Sequence, residues 1–534
     1  MAAGNLAHLP VCSSDHRIRD DLPEDIFEHV LAFLPAEDAA RSSLLSKRWR
    51  NAWTRARALN LSDEHHHGRR FLPFARAVLA RYGSPEIPSL NVVIGRESSL
   101  GPGTVAWLRG AMERVVGSVS VTVTAPGGAL DPLVLPPRLR AVSISLTLSG
   151  GGTGSKHGRL AFPSVSGAAG ATSSYDALEE LSLSRVQLQE RVGASLSSWC
   201  PRLRKLRLRK VSGGGGPTWP LVVRMEQLEE LEMDEVNSAV VEISTPRLET
   251  LIWHGGGFTK LISFLAGSQR SIRRLAGLCF YLPAKESRSF TAVRLLEVCS
   301  EANEISARID IPEHCSPSWL SREHLEHVPK LPNVRVLSLQ VVAVLQFITC
   351  PIAPIILSFI RRCPNLRWIH IDLTRTHWFS KSYPNYLMVP DDDDAREEEA
   401  LLLQPSDSDR LKAQREEMHL ASLREIRLSG FMGTCQEMEV ADLLFGAGAM
   451  RPSLEKVSVS LFPRLIRQGA EGGSVVTTPT FDWMSATPAQ LWRHLQAVVA
   501  KVQTQFPLAG GRWETNSGEG LAWTRTKSSS VAGL

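Results

Sequence analysis

A short apolar pattern, L-x-x-L-x-L with other apolar residues allowed, recurs along most of the chain and constrains its fold more than any other feature. Copies in the middle of the chain follow one another at about 20 to 25 residues, a period typical of repeats that stack in one direction. Each copy is therefore expected to add one strand to a shared, extended core. The copies begin at Leu139, Leu178, Leu203, Leu228, Leu248, Val334, Leu366, Leu423 and Leu454, with weaker ones at Ile272 and Val293.

The alternation within each copy predicts which side chains are buried. In a strand, residues i+3 and i+5 point to one side, and residues i+2, i+4 and i+6 point to the other. Two copies share a lead-in, SWCPRLRKL and RRCPNLRWI, in which a helix ends before Cys-Pro and a strand follows. Cys200 and Cys363 are then small buried residues rather than nucleophiles. The predicted class is α/β, a curved leucine-rich-repeat solenoid with a parallel β-sheet on its concave face.

Ahead of the repeats, residues 22–54 carry more apolar side chains than so short a stretch can bury. Pro23 suits a helix start, and Pro35 ends that helix. Residues 36–45 predict a second helix, and Ser46 can cap a third that carries Trp49 and Trp53 on one face. A unit of this size needs a partner surface or packing against the next domain.

This stretch, LPEDIFEHVLAFLP followed by DAARSSLLSKRWRNAW, resembles an F-box in the form common among plant F-box/leucine-rich-repeat proteins. The resemblance implies docking on the Skp1 adaptor of a cullin-RING ubiquitin ligase, with no catalytic residue in this chain. The alternative is a private three-helix core packed on the rest of the chain. The residues that the resemblance places in the adaptor-binding surface or its support are Leu22, Pro23, Ile26, Leu31, Leu34, Pro35, Leu44 and Trp49.

The open side of the predicted sheet carries both a charge pattern and a candidate binding site. RLRKLRLRK taken alone resembles a nucleic-acid patch. The next copy, however, places an acidic side chain opposite each lysine or arginine, which argues against nucleic-acid binding. The copy at Leu366 displays Trp368, His370 and Asp372, a group typical of a protein-recognition hot spot for a client. Alternatively, Trp368 is covered by the insertion that follows it. The predicted charge pairs are Lys205–Glu230, Arg207–Glu232 and Arg209–Asp234.

The C-terminal part contains a second resemblance. Residues 423–460 carry a Ser-Gly-Phe-x-Gly-Thr turn, a helix over residues 437–445 and a final Leu454-Glu-Lys strand, and resemble the FBD region that often ends plant F-box repeat proteins. A helix starting at Pro488 is expected to cover the end of the array, and the chain after Gly510 is expected to fray. The predicted organisation is a flexible terminus (1–17), the F-box (18–60), irregular repeats (61–409), an FBD-like closing repeat (410–470), and a capping helix with a flexible tail (471–534).

Composition excludes several other functions. The 8 cysteines include no CxxC pair, so no zinc site is predicted, and no cofactor is expected. A net charge of +5 is too small to argue for a nucleic-acid partner. Residues 336–360 lack charge, but Pro351 and Pro354 predict a strand, a loop and a helix start rather than a membrane span. The chain start is too mixed for a signal peptide, so a cytoplasmic or nuclear location is expected. A scaffold or sensor without ubiquitylation remains the alternative function.

Overall fold

The computed structural model divides into two compact units. Unit 1 comprises residues 1–228 and 236–241, and unit 2 comprises residues 229–235 and 242–534. Both are mixed α/β. The residues described are 24–45, 49–63, 71–95, 101–126, 132–151, 157–163, 175–188, 192–214, 219–255, 261–265, 267–281, 287–311, 328–343, 352–373, 420–431, 433, 435–445, 453–461, 488–508, 511–516 and 520–525.

Unit 1 begins with short helical segments. Helix α1 (Glu24–Phe33) ends before Pro35, whose carbonyl accepts the first hydrogen bond of α2 (Ala36–Arg41), from Ala39 N–H at 2.9 Å. A 3₁₀ segment, Ser42–Leu44, continues α2. The predicted third helix is a 3₁₀ segment over Trp49–Arg55 instead of an α-helix.

The rest of unit 1 is built on two parallel sheets. In chain order the strands and helices are β1 (Ala58–Ser62), α3 (Phe71–Arg81), β2 (Ile87–Ile94), α4 (Pro102–Glu113), β3 (Val115–Pro126), β4 (Leu133–Val134), β5 (Ser143–Gly151), β6 (Gly158–Ala161), β7 (Glu180–Ser184), β8 (Val186–Leu188), α5 (Val192–Trp199), β9 (Lys205–Arg209), β10 (Ser212–Gly213) and β11 (Pro220–Arg224). The main sheet has the order β1-β2-β3-β5-β7-β9, and all its strands are parallel. A second parallel sheet has the order β4-β6-β8-β10.

Unit 2 is built on one large sheet. Its elements are β12 (Glu230–Asp234), β14 (Thr250–His254), β15 (Leu261–Phe264), β16 (Arg274–Tyr281), α6 (Ser287–Val298), β17 (Glu304–Ile311), β18 (Val336–Ala343), α7 (Ile352–Ile360), β19 (Trp368–Asp372), β20 (Glu425–Phe431), α8 (Cys435–Phe445), β21 (Lys456–Leu461), α9 (Pro488–Gln505), β22 (Gly511–Asn516) and β23 (Gly520–Arg525), while the residues of β13 (Val240–Ser244) are divided between the two units. Strands β12, β14 and β16 to β21 pair in that order, and every pair is parallel.

Burial alternates along these strands as the repeat pattern predicts. In β7, β12, β14 and β19 every second residue is buried, and its neighbours are half-exposed. The buried residues are the apolar i+3 and i+5 positions of each copy, so the core lies on one side of the sheet. The side chains that face the other side are therefore those free to make a binding surface.

Two copies of the pattern were placed wrongly. Val142 accepts a hydrogen bond from Glu179 N–H, and Glu179 accepts one from Arg204 N–H, so Val142 is the second residue of its copy. That copy begins at Ala141, two residues after Leu139. A shift of two residues leaves the strand alternation unchanged, so the sequence pattern alone does not distinguish the two start points. The weak copy at Val293 lies in helix α6 and is not a strand. The strand that follows this helix is β17.

The lead-in to each strand is a recurring turn. Cys200 and Cys363 are buried as predicted, and burial raises the pKa of each thiol to about 12. Cys200 accepts a hydrogen bond from Leu203 N–H at 3.2 Å. Cys299 makes the equivalent bond with Ala302 N–H at 3.1 Å, although no proline follows it in the sequence. These thiols fill space at the turn, and their raised pKa values argue against a nucleophilic role.

The end of the unit 2 sheet differs from the prediction. Strand β23 pairs antiparallel with β21, and β22 pairs antiparallel with β23. Residues 511–516 and 520–525 therefore form a hairpin on the sheet edge, and the expectation that the chain frays after Gly510 is wrong for these residues. Residues 526–534 lie outside the described part of the chain. Trp523 in the hairpin is buried. Helix α9 lies close to Gly433, where a Cβ atom would be 2.7 Å from Val498, and its expected role in covering the end of the array stays a prediction.

The uncharged stretch over residues 336–360 contains β18, as predicted, and the whole of α7 rather than only a helix start; the predicted loop lies outside the described residues. Within the described part of the chain, none of the helices combines the length and the apolar character needed to cross a membrane.

Candidate functional site

Helix α1 has an exposed apolar face. Ile26, Val30 and Phe33 follow i, i+4, i+7 spacing, which places them on one side of the helix. Ile26 and Val30 are each 43% exposed, and Phe33 is 74% exposed. Leu31 points the other way and is fully buried. Among the described side chains of the helix, Leu31 therefore faces the core, whereas Ile26, Val30 and Phe33 are presented to solvent.

The turn after α2 extends this apolar character. Leu44 is 87% exposed and Leu45 is 71% exposed. Of the eight large apolar side chains that are exposed among the described residues, five lie between Ile26 and Leu45. Such a concentration on about twenty residues is typical of a protein interaction surface. We call Ile26, Val30, Phe33, Leu44 and Leu45 the apolar docking face.

The predicted adaptor-binding residues divide into four groups. Ile26 and Leu44 lie in the apolar docking face, while Leu34, Pro35 and Trp49 are half-exposed beside it. Leu31 is buried, so it can support the surface but cannot contact a partner directly. Leu22 and Pro23 lie outside the described residues.

The sequence prediction missed Val30, Phe33 and Leu45. The signal that could have found them is the helical spacing of Ile26, Val30 and Phe33, which is present in the printed sequence.

The docking face is held on the first strand of the unit 1 sheet. Asn60 on β1 donates hydrogen bonds through Nδ2 to the carbonyl oxygens of Ala32 (2.8 Å) and Leu34 (3.1 Å). These carbonyls belong to the last turn of α1 and the residue after it, which lack partners within the helix. Arg57 and Glu28 form an ion pair of 3.5 Å between the same two regions. The helix end is thus fixed to the sheet by side-chain contacts.

The 3₁₀ segment with the two tryptophans also joins the helices to the sheet region. Trp53 is buried and Trp49 is half-exposed. Tyr82, just after α3, donates its hydroxyl to the carbonyl of Ala56 at 2.7 Å. Gly83 N–H donates to the carbonyl of Thr54 at 2.9 Å. The apolar docking face is therefore part of a structure continuous with unit 1.

The second candidate site lies on the outward side of β19. Trp368, His370 and Asp372 are all half-buried and point to the same side of the strand, as predicted. The rings of Trp368 and His370 are 5.7 Å apart. Asp372 accepts a hydrogen bond from Gln340 Nε2 on β18 at 3.1 Å. The three side chains therefore form one polar and aromatic group on the sheet face.

His370 is held between two serines on the neighbouring strands. Its Nε2 lies 2.9 Å from Ser429 Oγ on β20, and its Nδ1 lies 3.4 Å from Ser338 Oγ on β18. Burial lowers the pKa of the imidazole, and the guanidinium of Arg427 lowers it further, while Asp372 opposes both effects. The ring is therefore neutral at pH 7.

Most charges on the sheet face around this group are paired. Arg274 and Glu304 lie 3.0 Å apart, Arg308 and Asp310 lie 2.7 Å apart, and Lys456 and Glu425 lie 3.2 Å apart. The first and third pairs join in-register residues of adjacent strands, and the second joins two residues of β17. These three pairs therefore contribute little net charge to the sheet face that carries Trp368 and His370.

Arg427 differs from the paired charges on this face. Arg427 is exposed and lies opposite His370 in the register of β19 and β20. Among the described residues its guanidinium has neither an ion-pair partner nor a hydrogen-bond acceptor. The sequence prediction did not single it out, although it occupies the i+4 position of the copy at Leu423.

In unit 1, the basic strand β9 already has an acidic neighbour. Lys205 Nζ lies 2.9 Å from Glu180 Oε1 on β7, and the hydrogen bond from Lys205 lowers the pKa of Glu180 against a smaller opposing effect of burial. The predicted ladder pairs β9, in unit 1, with β12, in unit 2, and it stays a prediction. The Glu180–Lys205 pair is a rung that the sequence reasoning overlooked, since it paired β9 only with the following copy.

Comparison with known proteins bears on the first candidate site. Residues 20–59 match the F-box domain family. A putative F-box/LRR-repeat protein of Arabidopsis thaliana is 32% identical over 102 residues, covering 19% of this chain and 21% of the relative. An F-box/FBD/LRR-repeat protein of the same plant is 34% identical over 122 residues, covering 22% of this chain and 27% of the relative. A putative FBD-associated F-box protein, also from this plant, is 54% identical over 54 residues, covering 10% and 28%.

The chain thus matches less than a third of the length of each of these three relatives. The F-box match begins just before α1 and ends at Leu59 in β1, so it contains the whole apolar docking face. The chain carries an F-box domain and is similar to plant F-box/leucine-rich-repeat proteins, including those with an FBD region.

Proposed function

We propose that this chain is the substrate-recognition subunit of an SCF (Skp1-cullin-F-box) E3 ubiquitin ligase. Its F-box would dock a Skp1-like adaptor, and through it a cullin, while the repeats bind a client protein. The observation that carries the proposal is the apolar docking face, because five large apolar side chains lie exposed inside the F-box match. Residues Leu22 and Pro23 extend this proposed surface on the strength of the sequence resemblance alone.

The proposed role requires no bond chemistry by this chain. A receptor raises the effective concentration of a client lysine near a ubiquitin-conjugating enzyme held elsewhere in the complex. The client would bind the outward side of the repeat strands, with Trp368, His370 and Asp372 as its anchor. A half-buried aromatic ring beside groups that donate and accept hydrogen bonds is the usual composition of an interaction hot spot. This activity belongs to the cytoplasm or the nucleus.

The test is co-purification of the full chain with a Skp1-like adaptor and a cullin. Phe33→Asp together with Leu44→Asp should reduce adaptor capture at least tenfold, because each change places a charge in an apolar interface. The matched control is Val142→Asp, since Val142 is also an exposed apolar residue of unit 1, 40% exposed, outside the F-box match. Equal capture by both variants would refute the docking surface.

The alternative function, a scaffold or sensor without ubiquitylation, predicts a different result in the same experiment. The chain would then bind its client, and the adaptor would be captured without a cullin or not at all. Client abundance in cells would also be unchanged when the proteasome is inhibited.

A further inference from the structure

The second residue of each repeat copy forms a continuous row along the edge where the strands of unit 2 begin. The row is defined by main-chain hydrogen bonds. Asn303 N–H donates to Arg273 O (2.9 Å), Arg335 to Asn303 (2.8 Å), Arg367 to Arg335 (2.8 Å), and Arg424 to Arg367 (2.9 Å). These residues are therefore neighbours on adjacent strands, although they are separated by 30 or more residues in sequence. We call Arg273, Arg335, Arg367 and Arg424 the arginine row.

The arginine row is exposed and poorly neutralised. All four side chains are exposed. Arg424 lies 3.7 Å from Glu455, and both side chains of that pair are about 60% exposed. Among the described residues, Arg273, Arg335 and Arg367 have neither an ion-pair partner nor a side-chain hydrogen bond. This contrasts with the adjoining sheet face, where most charges are paired.

Three of the arginines, Arg335, Arg367 and Arg424, lie at the starts of three consecutive strands of the sheet. Neighbouring parallel strands lie about 4.8 Å apart, so Arg335, Arg367 and Arg424 are rooted within about 10 Å of one another. Like charges at this separation repel and raise the affinity for an anion that lies between them. Guanidinium groups also bind carboxylates through two parallel hydrogen bonds.

Acids limit the length of the row. Glu455 follows Arg424, and Glu249 precedes Arg273, as Arg273 N–H donates to Glu249 O at 2.9 Å. A long polyphosphate would have to pass these carboxylates, and like charges there oppose its binding. A short segment with two or three carboxylates fits between them. Trp368 follows Arg367 in the sequence and begins β19 as a half-buried side chain, so an apolar group lies next along the chain from the row.

We propose that the arginine row docks a short acidic segment of a client protein across the strand starts of unit 2. This deepens the proposed function, on which it rests for the identity of the occupant as a client. The segment would place carboxylates against Arg335, Arg367 and Arg424, and a neighbouring apolar side chain against Trp368. The row then supplies charge selectivity, while the Trp368 group supplies apolar contact.

The test uses the full chain without adaptor and a fluorescent six-residue peptide of alternating glutamate and serine, which carries three carboxylates. Fluorescence anisotropy should show binding that weakens as salt rises and is absent for the same peptide with glutamine in place of glutamate. The variant Arg335→Glu, Arg367→Glu, Arg424→Glu should bind the peptide at least tenfold more weakly. The control Arg76→Glu, Arg81→Glu, Arg138→Glu makes the same charge change at exposed arginines of unit 1 and should bind normally. Should the first variant fail to fold, the corresponding triple glutamine variant is used and should lose binding at least threefold.

Three results would overturn the inference. The two triple variants could lose binding equally, which would indicate net charge rather than the row. A single-stranded oligonucleotide could compete with the peptide at equal or lower concentration, which would indicate a nucleic-acid site. The peptide could bind only after the acids of residues 391–399 are replaced by amides, which would make this chain's own acidic run the occupant. Because no adaptor is present, none of these results depends on the F-box.

Discussion

The side-chain amide of Asn60 donates a hydrogen bond to the main-chain carbonyl of Leu34 across 3.1 Å, and so joins the first strand of the sheet to the chain that leaves α1. The same amide binds Ala32 at 2.8 Å. The F-box helices and the repeat sheet are thus connected by one side chain that serves two carbonyls. This contact explains how so small a helical unit keeps its orientation without a large core of its own.

Asn60→Ala should loosen α1 without unfolding the sheet. Two part-buried carbonyls lose their donor, at a cost of about 1–3 kcal/mol. Hydrogen exchange of the α1 amides should accelerate by at least tenfold, while exchange in β5 and β7 stays unchanged. The control is Asn91→Ala, since Asn91 is the register partner of Asn60 on β2 and is also half-exposed. If Asn91→Ala accelerates α1 exchange equally, the contact of Asn60 is not what holds the helix.

Leu31→Ala should destabilise the F-box more than Leu34→Ala. Leu31 is fully buried, and removing a buried leucine side chain costs about 2–5 kcal/mol. Leu34 is only half-buried, so Leu34→Ala should lower the free energy of unfolding by less than half as much as Leu31→Ala. Hydrogen exchange of the amides in residues 24–55 measures both effects. Equal acceleration in the two variants would contradict the assignment of Leu31 as the core residue of α1.

The stability of unit 2 should fall as the pH drops below the pKa of an unperturbed histidine. Burial and Arg427 lower the pKa of folded His370, and Asp372 partly opposes them. The unfolded chain, with a histidine pKa of about 6.5, therefore takes up the proton first. The stabilisation is fully present above that pH and is lost as the pH falls towards the folded value. The other groups that face the ring, Ser338 and Ser429, do not titrate in this range.

Arg427→Gln tests the cause of this pH dependence. Removing the guanidinium raises the pKa of His370 towards its ordinary value, so less stability is lost between pH 7.5 and pH 5.5. Urea unfolding midpoints followed by hydrogen exchange in β19 and β20 measure the difference. Arg424→Gln removes an equal charge that does not face the ring and should leave the pH dependence as it was. An unchanged pH dependence in Arg427→Gln would show that burial alone lowers the pKa.

The repeat strands were predictable because their signal is local. An apolar alternation of period two, bounded by Pro or Gly, leaves few options for the fold, and the copies from Leu178 to Leu248 and from Val334 to Leu454 are strands as expected. Start points were less certain. The copy near Leu139 begins two residues later than predicted, because a shift of two keeps Ile144 on the buried face, whereas Val142, expected to be buried, is 40% exposed.

The binding surfaces were only partly predictable, because each depends on contacts between distant parts of the chain. The arginine row depends on the register of five strands, and each of its members lies in a different repeat copy. The C-terminal hairpin was missed for a similar reason. Its strands are short and polar on one side, and pairing with β21 rather than local propensity makes them extended.

The hairpin at the sheet edge gives a final prediction. A Cβ atom on Gly520 would lie 2.2 Å from the carbonyl oxygen of Val459, so β23 cannot remain at its present distance from β21 if Gly520 gains a side chain. Gly520→Ala should therefore destabilise the hairpin by about 1–3 kcal/mol and speed hydrogen exchange in residues 521–525. Gly110→Ala is the matched control, because a Cβ there meets nothing within 4 Å and alanine stabilises the interior of α4 by about 0.5–1 kcal/mol. Slow exchange in the Gly520→Ala hairpin would mean that its pairing with β21 is not as close as the structure shows.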